Sequence, residues 1–353
     1  MPNQNEYIKG RGAQINPNSP FEQIRRDADP RAHLEPDEKL ATELLNVHPK
    51  TILNKVKSPD IPMDFSMNPY QGCEHGCVYC YARNTHPYWG YSAGMDFERK
   101  ILVKKNAARL LEQKLKHPAW RATPIMLAGN TDCYQPAERD LQITRACLEV
   151  LWKYRHPVGL ITKNSLIMRD LDILKKMAKH QLVRVAISIT TLDESLRNRL
   201  EPRTSTIANR LKTVRQLSEN GIPVNVMMAP VIPGLNDHEI LKMGERTAEL
   251  GARALHYTIV RLNGDVALIF EDWIRKTFPD RADKVLQKIK DCHGGTLGDS
   301  RFGKRMAGEG SIAKIIKQQF ALARKLYFKD RELPPFNLDL YEQFKHPQLK
   351  LFV

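Results

Sequence analysis

Three of the six cysteines in this 353-residue chain fall within eight residues, in the run Gln71-Gly72-Cys73-Glu74-His75-Gly76-Cys77-Val78-Tyr79-Cys80-Tyr81-Ala82-Arg83. Soft thiolate ligands suit iron–sulfur chemistry, and three at this spacing could hold three corners of an iron–sulfur cube. Such a cube leaves one iron open to a substrate or cofactor, whereas a four-cysteine cluster is closed and passes electrons. The spacing therefore points to catalysis. The alternative is a non-catalytic, zinc-dependent nucleic-acid-binding protein, with His75 or His86 completing a Cys3His tetrahedron. Structural zinc sites usually draw on two separated ligand pairs, which favours the cube. Disulfides fit poorly, since three clustered cysteines leave a remainder and the start Met1-Pro2-Asn3-Gln4-Asn5 lacks the apolar core of a secretory signal.

Cys73-x3-Cys77-x2-Cys80, with aromatic Tyr79 before the last cysteine, resembles the cluster motif of radical S-adenosylmethionine (radical SAM) enzymes. The flanks Asn68-Pro69-Tyr70-Gln71-Gly72-Cys73 and Cys80-Tyr81-Ala82-Arg83 are similar to the branch related to spore photoproduct lyase, often described as DNA repair photolyase-like. The resemblance implies a [4Fe–4S] cluster on Cys73, Cys77 and Cys80, with SAM bound to the open iron. An electron from the cluster then yields methionine and a 5′-deoxyadenosyl radical, which takes a hydrogen atom from a substrate still to be assigned. It also implies an external flavodoxin- or ferredoxin-like electron donor.

The elements that must position this chemistry alternate. Apolar runs at Pro124–Ala128, Val158–Ile161, Val183–Ile189, Val224–Met228 and Ala254–Val260 are each preceded by a helix-length amphipathic segment, the pattern of successive βα units around a parallel sheet. Asp64–Tyr70 is expected as the first strand, delivering the cysteine loop. Ile207, Leu211, Val214 and Leu217 mark one helix face ending at Gly221, and Asn236 with Glu239 reads as a capping pair. The family resemblance sets the count, an α/β partial (β/α)6 TIM-like barrel. The expected divisions are an extended N-terminal arm (1–60), the barrel (61–265) and a mainly helical C-terminal extension (266–353).

In such barrels the site lies at the carboxyl ends of the strands, so polar residues after each apolar run are the candidates. After the second strand stand Asn130, Thr131 and Asp132, where the family carries the element that receives the methionine amino group; their plainer role is turning the chain. Thr162 and Lys163 follow the third strand and could meet the cofactor carboxylate or ribose. On the fourth, Arg184, Ala186, Ser188 and Thr190 oppose Val183, Val185, Ile187 and Ile189, so Ser188 and Thr190 are expected to face a lumen that holds something. By resemblance Tyr79 joins the cofactor contacts, Arg203 meets the methionine carboxylate, and Val231 and Ile232 meet the adenine. A surface salt bridge to Glu201 is the plainer role for Arg203. Cys133 is expected at the mouth, as a hydrogen-atom donor or a buried loop thiol. Cys147 shares a packing face with Thr144, Leu148 and Leu151, His256 reads as a core residue, and Cys292 has no assigned role.

The formal charge is +15, and Arg99 to Arg121 contributes eight basic residues against Glu112 alone. This stretch is either a phosphate-attracting face, consistent with a nucleic-acid substrate, or a solvated helix face. His86-Pro87-Tyr88-Trp89-Gly90-Tyr91 is either a loop packed over the cluster or a stacking surface. Gly298-x4-Gly303-Lys304 resembles a P-loop only superficially, because Arg305 stands where Ser or Thr belongs; a basic lid or a surface loop remains. No apolar run reaches the roughly 18 residues of a membrane span, and a cytoplasmic location is expected.

Overall fold

The computed structural model describes residues 7–17 and 41–345. In chain order its strands are β1 (Glu43–Asn46), β2 (Leu53–Lys55), β3 (Phe65–Met67), β4 (Tyr70–Gln71), β5 (Lys100–Val103), β6 (Ile125–Leu127), β7 (Val158–Thr162), β8 (Val183–Ser188), β9 (Val224–Val231) and β10 (Leu255–Ile259). The main sheet runs β10-β9-β8-β7-β6-β3-β2. Its first six members are parallel, and β2 is antiparallel to β3 at one edge.

These six parallel strands are the five expected from the apolar runs together with the strand that leads to the cysteine loop. Helices Ala107–Lys116, Ile143–Lys153, Leu171–Lys179, Ile207–Glu219, Ile240–Glu249 and Asp265–Thr277 follow them in turn, so each strand has its helix. The helix Ile207–Glu219 shows why: Ile207, Val214 and Leu217 are buried, each contributing roughly 1.5–3 kcal/mol by leaving water. Thr206 caps its start by accepting the Asn209 N–H (3.3 Å), and Gly221 at φ +72 ends the following turn. Cys147, Thr144, Leu148 and Leu151 are buried together on their helix, as the spacing predicts.

The first strand is shorter than expected. It stops at Met67, and Pro69, which has no N–H to donate, separates it from Tyr70–Gln71. That pair joins a second sheet, β1-β5-β4, whose strand Lys100–Val103 the periodicity did not reveal. Asn236 and Glu239 do not form a capping pair. The Asn236 amide instead donates to Thr190 O (2.7 Å) and Pro230 O (3.1 Å) and accepts the Ile232 N–H (2.6 Å), which ties the ends of β8 and β9 together. Glu239 accepts from the Thr191 hydroxyl and the Leu192 N–H.

Of the expected N-terminal arm, residues 1–6 and 18–40 lie outside the described residues. The described segment 7–17 is packed inward, with Arg11, Gly12, Ala13 and Gln14 buried. The C-terminal part is helical, at Ala282–Asp291, Gly310–Tyr327 and Asp339–Lys345. Gly244 lets the helix Gly310–Tyr327 come close, since a β-carbon there would lie 3.1 Å from the Ala323 side chain. Among the described residues no helix is long and apolar enough to cross a membrane.

The glycine-rich stretch is a strap rather than a free lid. Gly303 N–H and Arg305 Nε both donate to the Asp60 carboxylate (2.8 and 2.6 Å), and Met306 O accepts the Ile259 N–H from β10 (2.8 Å). Its other charges are also matched, Arg301 with Asp299 (2.7 Å) and Lys304 with Glu309 (2.9 Å).

Candidate active site

A cavity of about 260 Å³ opens at the carboxyl ends of the parallel strands. One wall is the cysteine loop, contributing Cys73, His75, Cys77, Tyr79, Cys80 and Tyr81. The strand ends bring Asn130, Thr131 and Asp132 from the β6 turn, Thr162 and Lys163 from β7, and Ser188 from β8. Ala229 and Pro230 from β9 and Arg261 after β10 join them.

The loop is held from several sides. Gly72 sits at φ +81, where a β-carbon would lie 2.9 Å from Lys100 O, so the approach of Cys73 to β5 requires glycine. Cys73 N–H donates to Phe97 O (2.9 Å) and Val78 N–H to Leu200 O (3.1 Å). Arg83, fully buried, donates through Nε to Cys77 O (2.9 Å) and pairs with buried Glu98 (2.5 Å). Glu98 also accepts the N–H groups of Gly12 (3.1 Å) and Ala13 (2.7 Å). Gly12 packs so tightly on the loop that a β-carbon there would lie 1.6 Å from Gly76 O. The N-terminal segment is therefore part of the cluster-loop scaffold.

Burial raises the Cys73 thiol pKa, and Asp132, Cys77 and Cys80 raise it further. Burial likewise pushes Cys77 up to about 12, with Glu201 adding to the effect. Two buried thiols whose ionisation is disfavoured, sharing a wall with Cys80, suit a cationic iron centre, which stabilises the thiolate form. The donor set, three thiols lining one cavity, thus fits a cluster, whereas among the described residues no three His, Cys, Asp or Glu side chains converge on a single metal ion. The zinc tetrahedron fits less well. His75 has Nδ1 3.3 Å from the Asp132 carboxylate and Nε2 3.4 Å from the Asn164 amide, while His86 lies outside the cavity lining.

Asp132 heads an Asx turn. It accepts Tyr134 N–H (2.9 Å), Thr162 Oγ1–H (2.8 Å) and Lys163 N–H (2.8 Å). Burial opposes its charge, but His75 and these backbone donors outweigh it and hold the carboxyl at about 2. For Lys163, burial works against the ammonium, and Cys77 and Glu201 raise its pKa above the ordinary lysine value.

Several expected residues stand elsewhere. The Asx turn swings Cys133 away from the mouth into the apolar core, where it is fully buried with Ile143 and Cys147. Thr190 sits behind the wall, bonded to Glu201 (2.5 Å) and 3.3 Å from the Tyr79 hydroxyl. Arg203 does not reach the cavity or Glu201. Its guanidinium lies 3.5 Å from Glu74 and its N–H donates to His75 O (3.3 Å), bracing the loop from outside. Val231 and Ile232 turn into the two cores, and Ala229 and Pro230 take the wall position instead. His256 and Cys292 are outside the lining, and Cys292 is core.

Glu201, Arg210 and Arg261 were not anticipated. Glu201 is fully buried, accepts the Tyr79 hydroxyl and pairs with buried Arg210 (2.6 Å). Burial opposes its charge, yet Arg210 and Lys163 hold the carboxyl at about 2. The rule that found Lys163, polar residues following an apolar run, applies equally to Arg261 after β10.

The basic stretch is largely used internally. Lys104 is buried with Nζ donating to Asn68 O (2.9 Å), Lys114 lies over Trp120, and Lys116 pairs with Glu112. In the aromatic loop, buried His86 packs edge-on to Phe97, while Tyr88 and Trp89 are exposed and outside the cavity lining.

The sequence model described as Radical SAM superfamily matches residues 67–246. An uncharacterized protein of Mycobacterium tuberculosis is 32% identical over 234 residues, covering 65% of this chain and 69% of its own. One of Methanocaldococcus jannaschii is 27% identical over 246 residues, covering 70% of this chain and 88% of its own. A spore photoproduct lyase variant, solved with AdoMet and dinucleoside spore photoproduct, shares the fold with a TM-score of 0.61 at 18% identity, covering 83% of this chain and 82% of that one.

Proposed function

From the premise that this chain belongs to the radical SAM superfamily, we propose that its cavity is the place where Cys73, Cys77 and Cys80 hold a [4Fe–4S] cluster beside SAM and a nucleic-acid substrate. When bound, the cluster supplies the electron that splits SAM into methionine and a 5′-deoxyadenosyl radical able to take hydrogen from substrate. The supporting observation is that all three thiols line the same cavity as Asp132 and Lys163.

The chain's own groups divide the work. Lys163 offers its ammonium to the methionine carboxylate, and Asp132 with Asn130 and Thr131 faces the amino group. Thr162 holds the Asp132 carboxylate in place. Ser188 offers a hydroxyl to the ribose, and Ala229 and Pro230 give the adenine an apolar surface. Tyr79, fixed through Glu201 and Thr190, shapes the wall beside Cys80. The buried loop keeps bulk water from the thiols.

A reducing cytoplasm, with a flavodoxin- or ferredoxin-like donor, would keep the three thiols available for iron. The nucleic-acid reading draws on the net charge of +15 and on the fold shared with an enzyme solved with a dinucleoside photoproduct. Anaerobically reconstituted protein incubated with dithionite and SAM should release 5′-deoxyadenosine and contain iron and sulfide. Cys77→Ala should lose both the iron and the release. A colourless protein with stoichiometric zinc and no 5′-deoxyadenosine would replace this reading with the zinc-binding one. Affinity for single-stranded nucleic acid should fall steeply with salt.

A further inference from the structure

Lys163 and Arg261 both line the cavity, but they follow β7 and β10, three strands apart. Lys163 has Asp132, Glu201 and Cys77 near it to balance its charge. Arg261 does not. Its guanidinium lies 5.5 Å from the Tyr81 ring centre, and among the described residues it has no hydrogen-bond acceptor. The two nearby carboxylates are already engaged, Asp60 by Arg305 and Gly303, and Asp299 by Arg301. A half-buried guanidinium with five donors and no acceptor is costly, and an incoming oxyanion relieves that cost through paired charge-assisted bonds.

The surroundings narrow the kind of oxyanion. Tyr81, 48% exposed, is the most open of the lining side chains, so Arg261 stands where the cavity meets solvent. Phe302 on the strap is 59% exposed, with the Arg305 guanidinium 4.6 Å from its ring centre. Cations beside open aromatic faces suit a strand whose phosphates are neutralised while its bases stack.

We propose that Arg261 is the phosphate subsite for the substrate, taking one backbone phosphate of a single-stranded nucleic acid at the cavity mouth. Tyr81 and Phe302 present aromatic faces to the neighbouring bases. The assignment rests on the nucleic-acid reading above and places the contact on a residue distinct from the cofactor contacts.

The test is fluorescence anisotropy of a labelled mixed-sequence DNA strand of about 12 nucleotides with the reconstituted, SAM-loaded enzyme, over roughly 50 to 200 mM salt. Arg261→Gln should weaken binding about tenfold at the lowest salt and flatten the log–log salt slope by about 0.7, the contribution of one phosphate on a single strand. Arg261→Lys should restore the slope while recovering only part of the affinity, because it keeps the charge and loses the fork. Thermal melting of each variant checks that it folds. Unchanged affinity and slope in Arg261→Gln would overturn the subsite and leave the nucleic-acid reading standing. No binding by the unaltered enzyme at any salt would overturn that reading and the subsite with it. Weakened SAM affinity with unchanged DNA binding would assign Arg261 to the cofactor, and the subsite would fall.

Discussion

Gly12→Ala tests whether the N-terminal segment scaffolds the cysteine loop. Gly12 does not adopt positive φ, so the penalty is steric: its new β-carbon would stand 1.6 Å from Gly76 O, against an ordinary contact of 3.4 Å, and the two backbones must part by 1.8 Å. Bonds of 3.1 and 2.7 Å from Gly12 and Ala13 to Glu98 cannot survive that separation. Hydrogen bonds to a charged group contribute about 1.5–3 kcal/mol each. Re-entry of water recovers part of the loss, leaving a net destabilisation of about 3 kcal/mol, or roughly 5 °C in Tm for a chain of this size. The metal-free protein should show that fall in calorimetry, together with faster hydrogen exchange at the Ala13 amide. Iron bound per chain after reconstitution should drop as the Gly76–Cys77 segment shifts. A variant that melts within about 1 °C of the unaltered protein, with the same exchange at Ala13, would refute the scaffold role.

Glu201→Ala should cost about 3–5 kcal/mol in chemical denaturation, because it leaves buried Arg210 without its partner. Tyr79→Phe, which keeps that pair and removes one bond to the carboxylate, should cost less, about 1.5–3 kcal/mol; equal losses would mean that the Arg210 pair does not dominate. Lys163→Met should weaken SAM binding about tenfold by titration calorimetry, the worth of one charge-assisted bond of roughly 1.4 kcal/mol, and unchanged binding would remove Lys163 from the carboxylate. Asp132 and Glu201 each have a carboxyl held at about 2, below their ordinary values of 3.8 and 4.5. Depressed folded-state pKa values mean that their stabilisation is complete above the ordinary values and lost as pH falls towards 2. Melting followed by circular dichroism should therefore decline between about pH 4.5 and 2, and Asp132→Asn should flatten part of that decline.

The residues most legible in the sequence were those governed by short-range rules. Strand alternation placed Ser188 on the cavity side, the residues following β6 and β7 supplied Asp132 and Lys163, and the cysteine spacing put three thiols on one wall. Residues fixed by contacts between distant segments were hidden. In Glu201-Pro202-Arg203 the turn sends the glutamate inward to Arg210 and the arginine outward to Glu74, the reverse of what an arginine-for-carboxylate expectation gives. Cys133 left the mouth because the turn headed by Asp132 reverses the chain within one residue. No periodicity signals that Gly12 must meet Gly76, since only the packed structure brings them together.

Because β10 and β2 are the opposite edges of the sheet, the grip of Asp60 on the strap that also meets β10 fastens the molecule's flank. The two edges are thereby tied through the strap, so the Asp60 contacts bear on the stability of a strand at the far side of the sheet. Asp60→Ala should leave the helices and the central strands intact while speeding hydrogen exchange at the Ile259 amide, where the strap meets β10.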